Sequence, residues 1–420
     1  MTPTRRVAII AGFIALAALV LPSAAVKIAL VVLGVSVVID ALFARRPISL
    51  RRAVAPVLIL GQPSPLTVTA GLDGDAVRHI GNVTIRQPRT ADLRIDTEPA
   101  LAPYTTSITA LRRGTHTIPA VAARRTGPLG LGAWDFRGDG SAHVTVYPDV
   151  PTARRIAHAV RTRSFIDAGE IRRGPLGLGT EFESIREYQP DDDVRQVNWQ
   201  ATMRVGRPMS NQYRVETERQ VLCLIDCGRL MAAPIGDKTR LDIAIDAVTA
   251  VAHVADALGD RSGAIAFDRT VLRNLGDRRR GADALVHSIH DLEPSEYDSD
   301  YDLAFRNVRN TKRALIVVMT DLLDEAAATS LIDAVPVLAR RHAVMVCSVN
   351  DPQLTAALIA QPTDNQAMFR TVAAIDMADA RQRVRSRLRG AGATVVEAEP
   401  TNFSAAVVRA YLKLKDSARL

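Results

Sequence analysis

The chain contains few aromatic residues and few cysteines, and each shortage excludes a class of protein. Aromatic residues make up 4% of its 420 residues, which argues against a surface that stacks sugars or single-stranded nucleic acid on rings. The three cysteines, Cys223, Cys227 and Cys347, all lie inside apolar runs. An odd number in such positions excludes a disulfide framework and predicts buried thiols in a reducing compartment.

A phosphate-binding loop is also missing, because no G-x-x-x-x-G-K-[ST] run occurs in the chain. We therefore expect no nucleotide ligand. The net charge of +8 is typical of nucleic-acid binders, but residues 1–52 hold seven of the basic side chains and one aspartate. The remainder of the chain is close to neutral, so nucleic acid is not an expected partner, and DNA binding is the third of three functional hypotheses.

Two apolar runs lie near the N-terminus, at residues 7–21 and 28–43, and Asp40 interrupts the second. One helix over both would be about 55 Å long, which exceeds a hydrocarbon core of about 30 Å. We therefore predict a two-helix membrane hairpin within residues 1–52. Asp40 is expected to be solvated at the membrane interface.

Basic residues flank this predicted hairpin on both sides: Arg5, Arg6, Arg45, Arg46, Arg51 and Arg52. The positive-inside rule then places both ends in the cytoplasm. This predicts a two-pass protein of the inner (cytoplasmic) membrane, with the bulk of the chain cytoplasmic. The alternative is a signal peptide cleaved near residues 23–25, followed by a membrane anchor.

The rest of the chain predicts an α/β fold joined to a β fold. Residues 53–150 contain short β-branched segments separated by glycine and proline, which indicates a small antiparallel β-sandwich. Residues 151–219 form a linker that contains a dense polar segment. Residues 220–420 alternate strands with helices, which predicts a doubly wound parallel sheet. Two of its strands end at Asp226 and Asp321, on the edge where such sheets bind ligands.

The polar segment of the linker is the most distinctive part of the sequence. Three adjacent carboxylates at residues 191–193 repel one another unless cations compensate them, and nearby arginines can pair with them through two hydrogen bonds. We favour a salt-bridged clasp that locks two domains together, because no nucleophile or histidine is close by. The alternative is a metal or acid–base centre. The residues of interest are Arg186, Glu187, Tyr188, Pro190, Asp192, Asp193, Arg195, Asn198, Trp199 and Arg204.

This segment resembles the signature of the bacterial domain-of-unknown-function family 58, which reads R-E-Y-x-P-G-D-D-x-R-x-I-D/N-W followed by A-x-x-R. Asp191 stands where the family has glycine. The resemblance implies that a von Willebrand factor type A-like domain follows. Such domains bind a divalent cation through D-x-S-x-S, a threonine and a later aspartate.

Several of those cation-binding positions are altered here. Asp226 and Asp321 match the two aspartates, but Gly228 and Leu230 replace the serines, and Tyr301 replaces the threonine. Asp300 and Asp302 are candidate substitutes. A hard cation such as Mg²⁺ needs about six oxygens, so the resemblance implies a degenerate site. That site either holds a divalent cation weakly or serves as a metal-free partner surface, and no other cofactor is expected.

The resemblance also implies a partner, because such proteins are thought to act with MoxR-type AAA+ ATPases as adaptors or substrates. We therefore expect a membrane-anchored protein-interaction module that serves such an ATPase in assembly, maturation or envelope stress. We do not expect an enzyme. Its partners would be the ATPase, other proteins and the lipid bilayer. The alternative is a metal-assisted hydrolase, which lacks a histidine base and would be centred on Asp191, Asp192, Asp193, Asp226 and Asp321.

Overall fold

The computed structural model of the chain describes residues 2–71, 82–95, 98–138, 140–166, 176–189, 192–214, 219–308, 313–322 and 325–416. These residues form a mixed α/β structure with several sheets. The chain divides into two compact units, Met1–Tyr147 and Pro148–Leu420, which are described in turn.

The first unit begins with two helices and continues as short strands, whose β-branched residues favour extended backbone. Its elements in chain order are β1 (Thr2–Pro3), α1 (Arg5–Ala17), α2 (Ser23–Ala44), β2 (Ser49–Val54), β3 (Val57–Ile59), β4 (Pro63–Gly71), β5 (Val83–Arg86), β6 (Leu93–Ile95), β7 (Ala100–Leu101), β8 (Tyr104–Ala110), β9 (Gly114–Ile118), β10 (Ala122–Thr126), β11 (Gly132–Arg137) and β12 (Ala142–Tyr147).

Three sheets arrange these strands in the orders β1-β11-β10-β5-β7, β2-β4-β8-β6 and β3-β12-β9. Their inward side chains form one apolar cluster that includes Leu66, Ile85, Ile108 and Val144. The β-rich character predicted for this region is confirmed. The antiparallel prediction is wrong at β3 and β12, which pair in parallel. A parallel pair needs a long connection, and residues 60–141 lie between these two strands.

Helix α2 is long and apolar enough to cross a membrane, and within the described residues it alone meets both criteria. Its 22 residues span about 33 Å at 1.5 Å per residue. Helix α1 has 13 residues and is shorter than the apolar run from which it was predicted. The chain turns after Ala17, and Pro22 lies immediately before the first turn of α2. Proline fits the start of a helix but not its interior, so the two helices are separated at this point. The two-helix membrane hairpin is therefore not confirmed.

The second unit alternates strands and helices over most of its length. Its elements are α3 (Val150–Ile166), β13 (Leu176–Glu187), α4 (Trp199–Val205), β14 (Met209–Arg214), β15 (Gln220–Asp226), β16 (Pro234–Ile235), β17 (Lys238–Thr239), α5 (Arg240–Leu258), β18 (Arg261–Phe267), β19 (Val271–Arg279), α6 (Ala282–Ile289), α7 (Tyr301–Val308), β20 (Leu315–Met319), α8 (Glu325–Ala339), β21 (Ala343–Val349), α9 (Pro352–Ile359), α10 (Asn365–Gly390), β22 (Thr394–Ala398) and α11 (Phe403–Asp416).

The main sheet of this unit has the order β19-β18-β15-β20-β21-β22. All neighbouring strands are parallel except β19, which pairs antiparallel with β18 at the edge. Side chains alternate between the faces of a strand, so Cys223 of β15 joins the apolar cluster with α5 and α11, whereas Leu224 joins the cluster with α7, α8 and α10. The buried thiols predicted from the sequence are confirmed.

The pattern of apolar residues predicts a helix only from Arg381, whereas α10 begins sixteen residues earlier, at Asn365, and the same pattern predicts neither β19 nor α3. The first half of α10 carries exposed apolar residues such as Phe369 and Val372. A helix is predicted where apolar residues recur at a spacing that places them on one buried face. These exposed residues do not follow that spacing. Strand β19 reads Val-Leu-Arg-Asn-Leu-Gly-Asp-Arg-Arg, a polar run that alternation rules do not identify as a strand.

A buried carboxylate ties the last helix to the sheet. Asp260 is fully buried and accepts hydrogen bonds from the Tyr411 hydroxyl, from Lys415 Nζ at 2.6 Å and from the Arg219 amide at 2.8 Å. Burial, followed by the Asp260 charge, raises the pKa of Tyr411 well above its ordinary value. The phenol therefore keeps its proton and remains a donor at neutral pH.

Tyr411→Phe should destabilise the protein by roughly 1–3 kcal/mol, because Asp260 would lose one donor while remaining buried. Thermal unfolding of the full chain in detergent, followed by circular dichroism, measures the effect. Lys413→Ala is the control, since Lys413 is exposed on the same helix and should change stability little. Equal melting temperatures for Tyr411→Phe and the parent chain would contradict the role of this contact.

Candidate functional site

Asp226 lies at the carboxyl end of β15, where its carboxylate is almost fully buried. One oxygen, Oδ1, accepts the Gly228 amide at 2.8 Å and the Ser299 hydroxyl. The other, Oδ2, accepts the Tyr301 hydroxyl at 2.8 Å and the Thr320 hydroxyl at 2.6 Å. Hydroxyl and amide donors of the protein itself thus satisfy both carboxylate oxygens.

Tyr301 and Gly228 shape this arrangement. Burial, and next the Asp226 charge, raises the pKa of Tyr301 well above its ordinary value, so its phenol remains a donor. A Cβ atom at Gly228 would lie 3.0 Å from the Tyr297 carbonyl oxygen and 3.1 Å from Asp226 Oδ1, and would also meet the Ser299 hydroxyl. Glycine at this position is therefore required by the close approach of these oxygens.

Asp321 follows β20 on the same edge of the sheet and is held by two buried arginines. Its Oδ2 lies 2.5 Å from Arg240 Nη1, and its Oδ1 accepts Arg381 Nη2 at 2.8 Å. Burial raises the pKa of the Asp321 carboxyl, and the two guanidinium charges oppose that rise. Arg240 also lies 3.4 Å from Asp351 Oδ2, so the group is a buried ionic cluster of two cations and two carboxylates.

This geometry does not fit a divalent cation. A metal needs free oxygen lone pairs, yet hydroxyl and amide donors occupy Asp226, and guanidinium groups occupy Asp321. The described part of the chain also contains no group of three His, Cys, Asp or Glu side chains placed to hold a metal. Asp300 and Asp302 are exposed, and Asp300 Oδ1 accepts the Leu303 amide at 3.0 Å at the start of α7.

The polar segment forms a hairpin between β13 and β14, which we call the signature hairpin (residues 184–211). The two strands pair antiparallel, with Glu187 opposite Met209. Within the connecting loop, Asp192 Oδ1 accepts Arg186 Nη2 at 2.5 Å and Oδ2 accepts the Gln189 amide at 2.9 Å. These contacts join residues of one hairpin, so the Arg186–Asp192 ion pair closes a loop.

Short helices within this loop are capped by signature residues. Asp193 caps a 3-10 helix at Val194–Gln196 by accepting the Arg195 amide at 3.0 Å. Asn198 caps α4 by accepting the Ala201 amide at 2.9 Å and donates to Asn211 Oδ1 at 2.8 Å. The Tyr188 hydroxyl donates to the Asp192 carbonyl at 3.0 Å. Pro190 and Asp191, which belong to the predicted site, lie outside the described residues.

The remaining signature residues face solvent. Trp199 is 68% exposed and Met203 is 86% exposed, and residues four apart lie on one side of a helix. Arg195 and Arg204 are exposed as well, and Glu187 lies 3.9 Å from Arg207 at the surface. The polar signature residues thus build a compact support, and an indole and a thioether protrude from it.

Four of the five carboxylates that the hydrolase alternative requires lie within the described residues, and each of these four has its own partners. Asp192 contacts Arg186, Asp193 caps a helix, Asp226 contacts hydroxyls and Asp321 contacts arginines. The sequence analysis missed Arg240, Arg381 and Thr320 as members of the strand-end site. The Thr-Arg-Leu-Asp capping box that starts α5 could have located Arg240 at a helix N-terminus beside the sheet edge. No local pattern shows that α10 brings Arg381 there.

Comparison with known proteins places the same hairpin at the start of a family match. Residues 184–388 match the family described as Protein of unknown function DUF58. A stretch of 183 residues is 24% identical to uncharacterized proteins of Mycobacterium bovis and of two strains of Mycobacterium tuberculosis. The alignment covers 42% of this chain, and the chain spans 57% of the length of these curated relatives.

Gly228→Ala should destabilise the chain by roughly 1–3 kcal/mol, because its Cβ would force apart the oxygens around Asp226. The melting temperature of the full chain measures the change. Gly390→Ala is the matched control, since Gly390 ends α10 with no atom within 4 Å of a Cβ. If the two variants have the same melting temperature, the close approach of oxygens at Asp226 does not require glycine at position 228.

Asp192→Ala should speed hydrogen exchange at the amides of Tyr188 and Gln189 at neutral pH. The Gln189 amide and the Arg186 guanidinium hold the pKa of Asp192 below its usual value of 3.8. The ionised carboxylate therefore supports the loop above that value and loses its effect as pH falls through the lowered pKa. Protection factors of variant and parent should converge in that acidic range.

Exchange measured by mass spectrometry at several pH values tests this expectation. Asp298→Ala, which removes an exposed carboxylate paired with Arg229, is the control and should leave the hairpin unchanged. Equal protection of residues 188–189 in Asp192→Ala and the parent at neutral pH would show that the ion pair does not hold the loop.

Proposed function

We propose that this protein is a membrane-anchored interaction module that binds a partner protein through Trp199 and Met203. The observation that carries the proposal is the exposure of these two side chains on a loop whose polar residues are committed to internal hydrogen bonds. Large exposed apolar side chains on an ordered support are typical of binding hot spots, and tryptophan is the residue most enriched there.

Charge around this pair indicates the kind of partner. Arg195, Arg204 and Arg207 are exposed in the same loop, whereas Asp192 and Asp193 accept hydrogen bonds from within it. A partner with an apolar pocket and an acidic rim complements that surface, and opposite charge also speeds association. The family resemblance makes a MoxR-type AAA+ ATPase the partner that we propose.

The anchor in this proposal is α2, with α1 as a second, shorter arm, so that the chain enters and leaves the membrane on one side. Two contacts support that arrangement: Thr4 before α1 bonds the carbonyl oxygens of Gly130 and Leu131, and Asp40 near the end of α2 bonds amides of the same loop. Because basic residues lie at the start of α1 and just after α2, the positive-inside rule favours the cytoplasm for this side of the inner membrane.

The remainder of the second unit is proposed to be a von Willebrand factor type A-like domain with a degenerate cation site. Parallel strands, helices on both faces and an aspartate at the end of β15 support this. Since protein donors occupy Asp226 and arginines occupy Asp321, this edge of the sheet contributes structure. Partner binding falls to the signature hairpin.

Trp199→Ala combined with Met203→Ala should weaken binding of the purified full chain, in nanodiscs, to the MoxR-type ATPase of the same organism. We expect a loss of about 30-fold, equal to roughly 2 kcal/mol for a hot spot, measured by biolayer interferometry. Phe369→Ala is the matched control, because Phe369 is 76% exposed but lies outside the hairpin. Unchanged affinity of the double variant would contradict this face, and no binding by the parent chain would contradict this partner.

A further inference from the structure

A loop of the first unit, residues 127–132, encloses the last turns of α2. The Asp40 carboxylate of α2 is fully buried. Its Oδ1 accepts the Leu129 amide at 2.8 Å, and its Oδ2 accepts the amides of Leu131 at 2.7 Å and Gly132 at 2.8 Å. The solvated position expected for Asp40 is therefore wrong. Three amides take the place of water, which lets a charged residue sit near the end of an apolar helix.

The same loop also fixes the start of α1. The Thr4 amide donates to the Leu131 carbonyl at 2.9 Å, and the Thr4 hydroxyl donates to the Gly130 carbonyl at 2.6 Å. A Cβ at Gly130 would lie 2.6 Å from Arg6 Nη1, so the Arg6 guanidinium passes directly over the loop. Residues 127–132 are thus bound both to the start of α1 and to the end of α2. Leu129, at the tip of this loop, is 56% exposed.

Arginines surround this loop: Arg5, Arg6, Arg45, Arg46 and Arg125, which we call the arginine collar. Arg45 lies over the Trp134 ring at 5.4 Å, and Arg125 Nη1 donates to the Arg46 carbonyl at 3.1 Å. Burial, and then the nearby Arg46 charge, lowers the pKa of Arg125.

Acidic groups near the collar are already engaged. Asp40 accepts the three amides, and Asp135, which follows Trp134, pairs with Arg124 at 2.7 and 3.0 Å. The collar therefore presents a concentration of positive charge at the end of α2, where the proposed anchor would leave the bilayer.

We propose that the arginine collar binds the phosphate groups of anionic phospholipids, with Leu129 and the Trp134 ring at the membrane interface. Guanidinium groups bind phosphate through two hydrogen bonds, and basic residues beside a membrane helix attract anionic lipids. Indole rings favour the interface. The inference rests on the membrane anchoring in the proposed function and adds a ligand, anionic lipid, that holds the first unit against the membrane.

Fluorescence of Trp134 tests this inference. The chain has two tryptophans, so Trp199→Phe leaves Trp134 as the only one. The full chain is placed in vesicles of equal parts phosphatidylcholine and phosphatidylglycerol, with bromine on the acyl chains of one lipid or the other. Enrichment of phosphatidylglycerol at the collar should make brominated phosphatidylglycerol quench about twice as strongly as brominated phosphatidylcholine. The ratio cancels effects of any variant on the indole itself.

Removing the arginine collar should abolish the stronger quenching by brominated phosphatidylglycerol. Arg45→Ala, Arg46→Ala and Arg125→Ala together should bring the quenching ratio to about one. The control removes Arg86, Arg94 and Arg112, three arginines elsewhere in the first unit, and should retain the preference although it loses the same charge. A triple change of the collar residues to lysine should leave part of the preference, since charge remains but the paired hydrogen bonds do not.

Three results would overturn the inference, and they separate it from the proposed function. Equal quenching by both lipids in the Trp199→Phe chain, with the protein floating with the vesicles, contradicts lipid selection by the collar but leaves the anchor intact. Protein that does not float with vesicles contradicts the anchor and the inference together. Equal loss of preference in the control variant would show that net charge, not the collar, attracts the lipid.

Discussion

The edge of the second unit's main sheet where its parallel strands end depends on the hydrogen bonds to one buried carboxylate, that of Asp226. Asp226 has both oxygens closed by hydroxyl and amide donors that come from three separate segments: the turn after β15, the start of α7 and the end of β20. A buried carboxyl group without such donors is costly, so the hydrogen bonds to Asp226 hold these segments together. Beside it, two arginines from α5 and α10 meet Asp321 in the same way. Protein groups thus perform the organising role that a bound cation would perform.

The internal hydrogen bonds of the signature hairpin are also the reason why we propose binding, and not catalysis, as its function. A catalytic acid or base must be able to reach a substrate. Asp192, Asp193 and Asn198 instead accept hydrogen bonds from amides or an arginine a few residues away. What remains for a partner is the apolar pair on α4. Because hydrogen bonds within the hairpin fix that support, the proposed association would cost little conformational entropy.

Much of this fold follows from local sequence patterns. Apolar runs such as Val-Leu-Cys-Leu-Ile before Asp226 predict buried parallel strands, and these are found at β15, β18, β20 and β21. The positions of Asp226 and Asp321 at one edge follow from the strands that end there, whereas the position of Tyr301 is implied by the family resemblance. What local patterns cannot supply is the partner of each charge. The contacts of Asp321 with Arg381 and of Asp40 with Leu131 join residues 60 and 91 positions apart, and no periodicity encodes such distant pairs.

The bonding of Asp40 has a consequence for how the first unit is made. Strand β1 pairs with β11, and the loop before β11 closes around α2, so the unit cannot be completed until residue 132 has been synthesised. By then the apolar helix has long emerged from the ribosome. For the membrane-anchored protein that we propose, insertion of α2 would precede closure of the sheet, and the growing chain would fold against a helix that is already in place. A shortened protein that begins after Ala44 would lack β1 and leave three loop amides without their acceptor, so removing α1 and α2 would also damage the sheets that follow them.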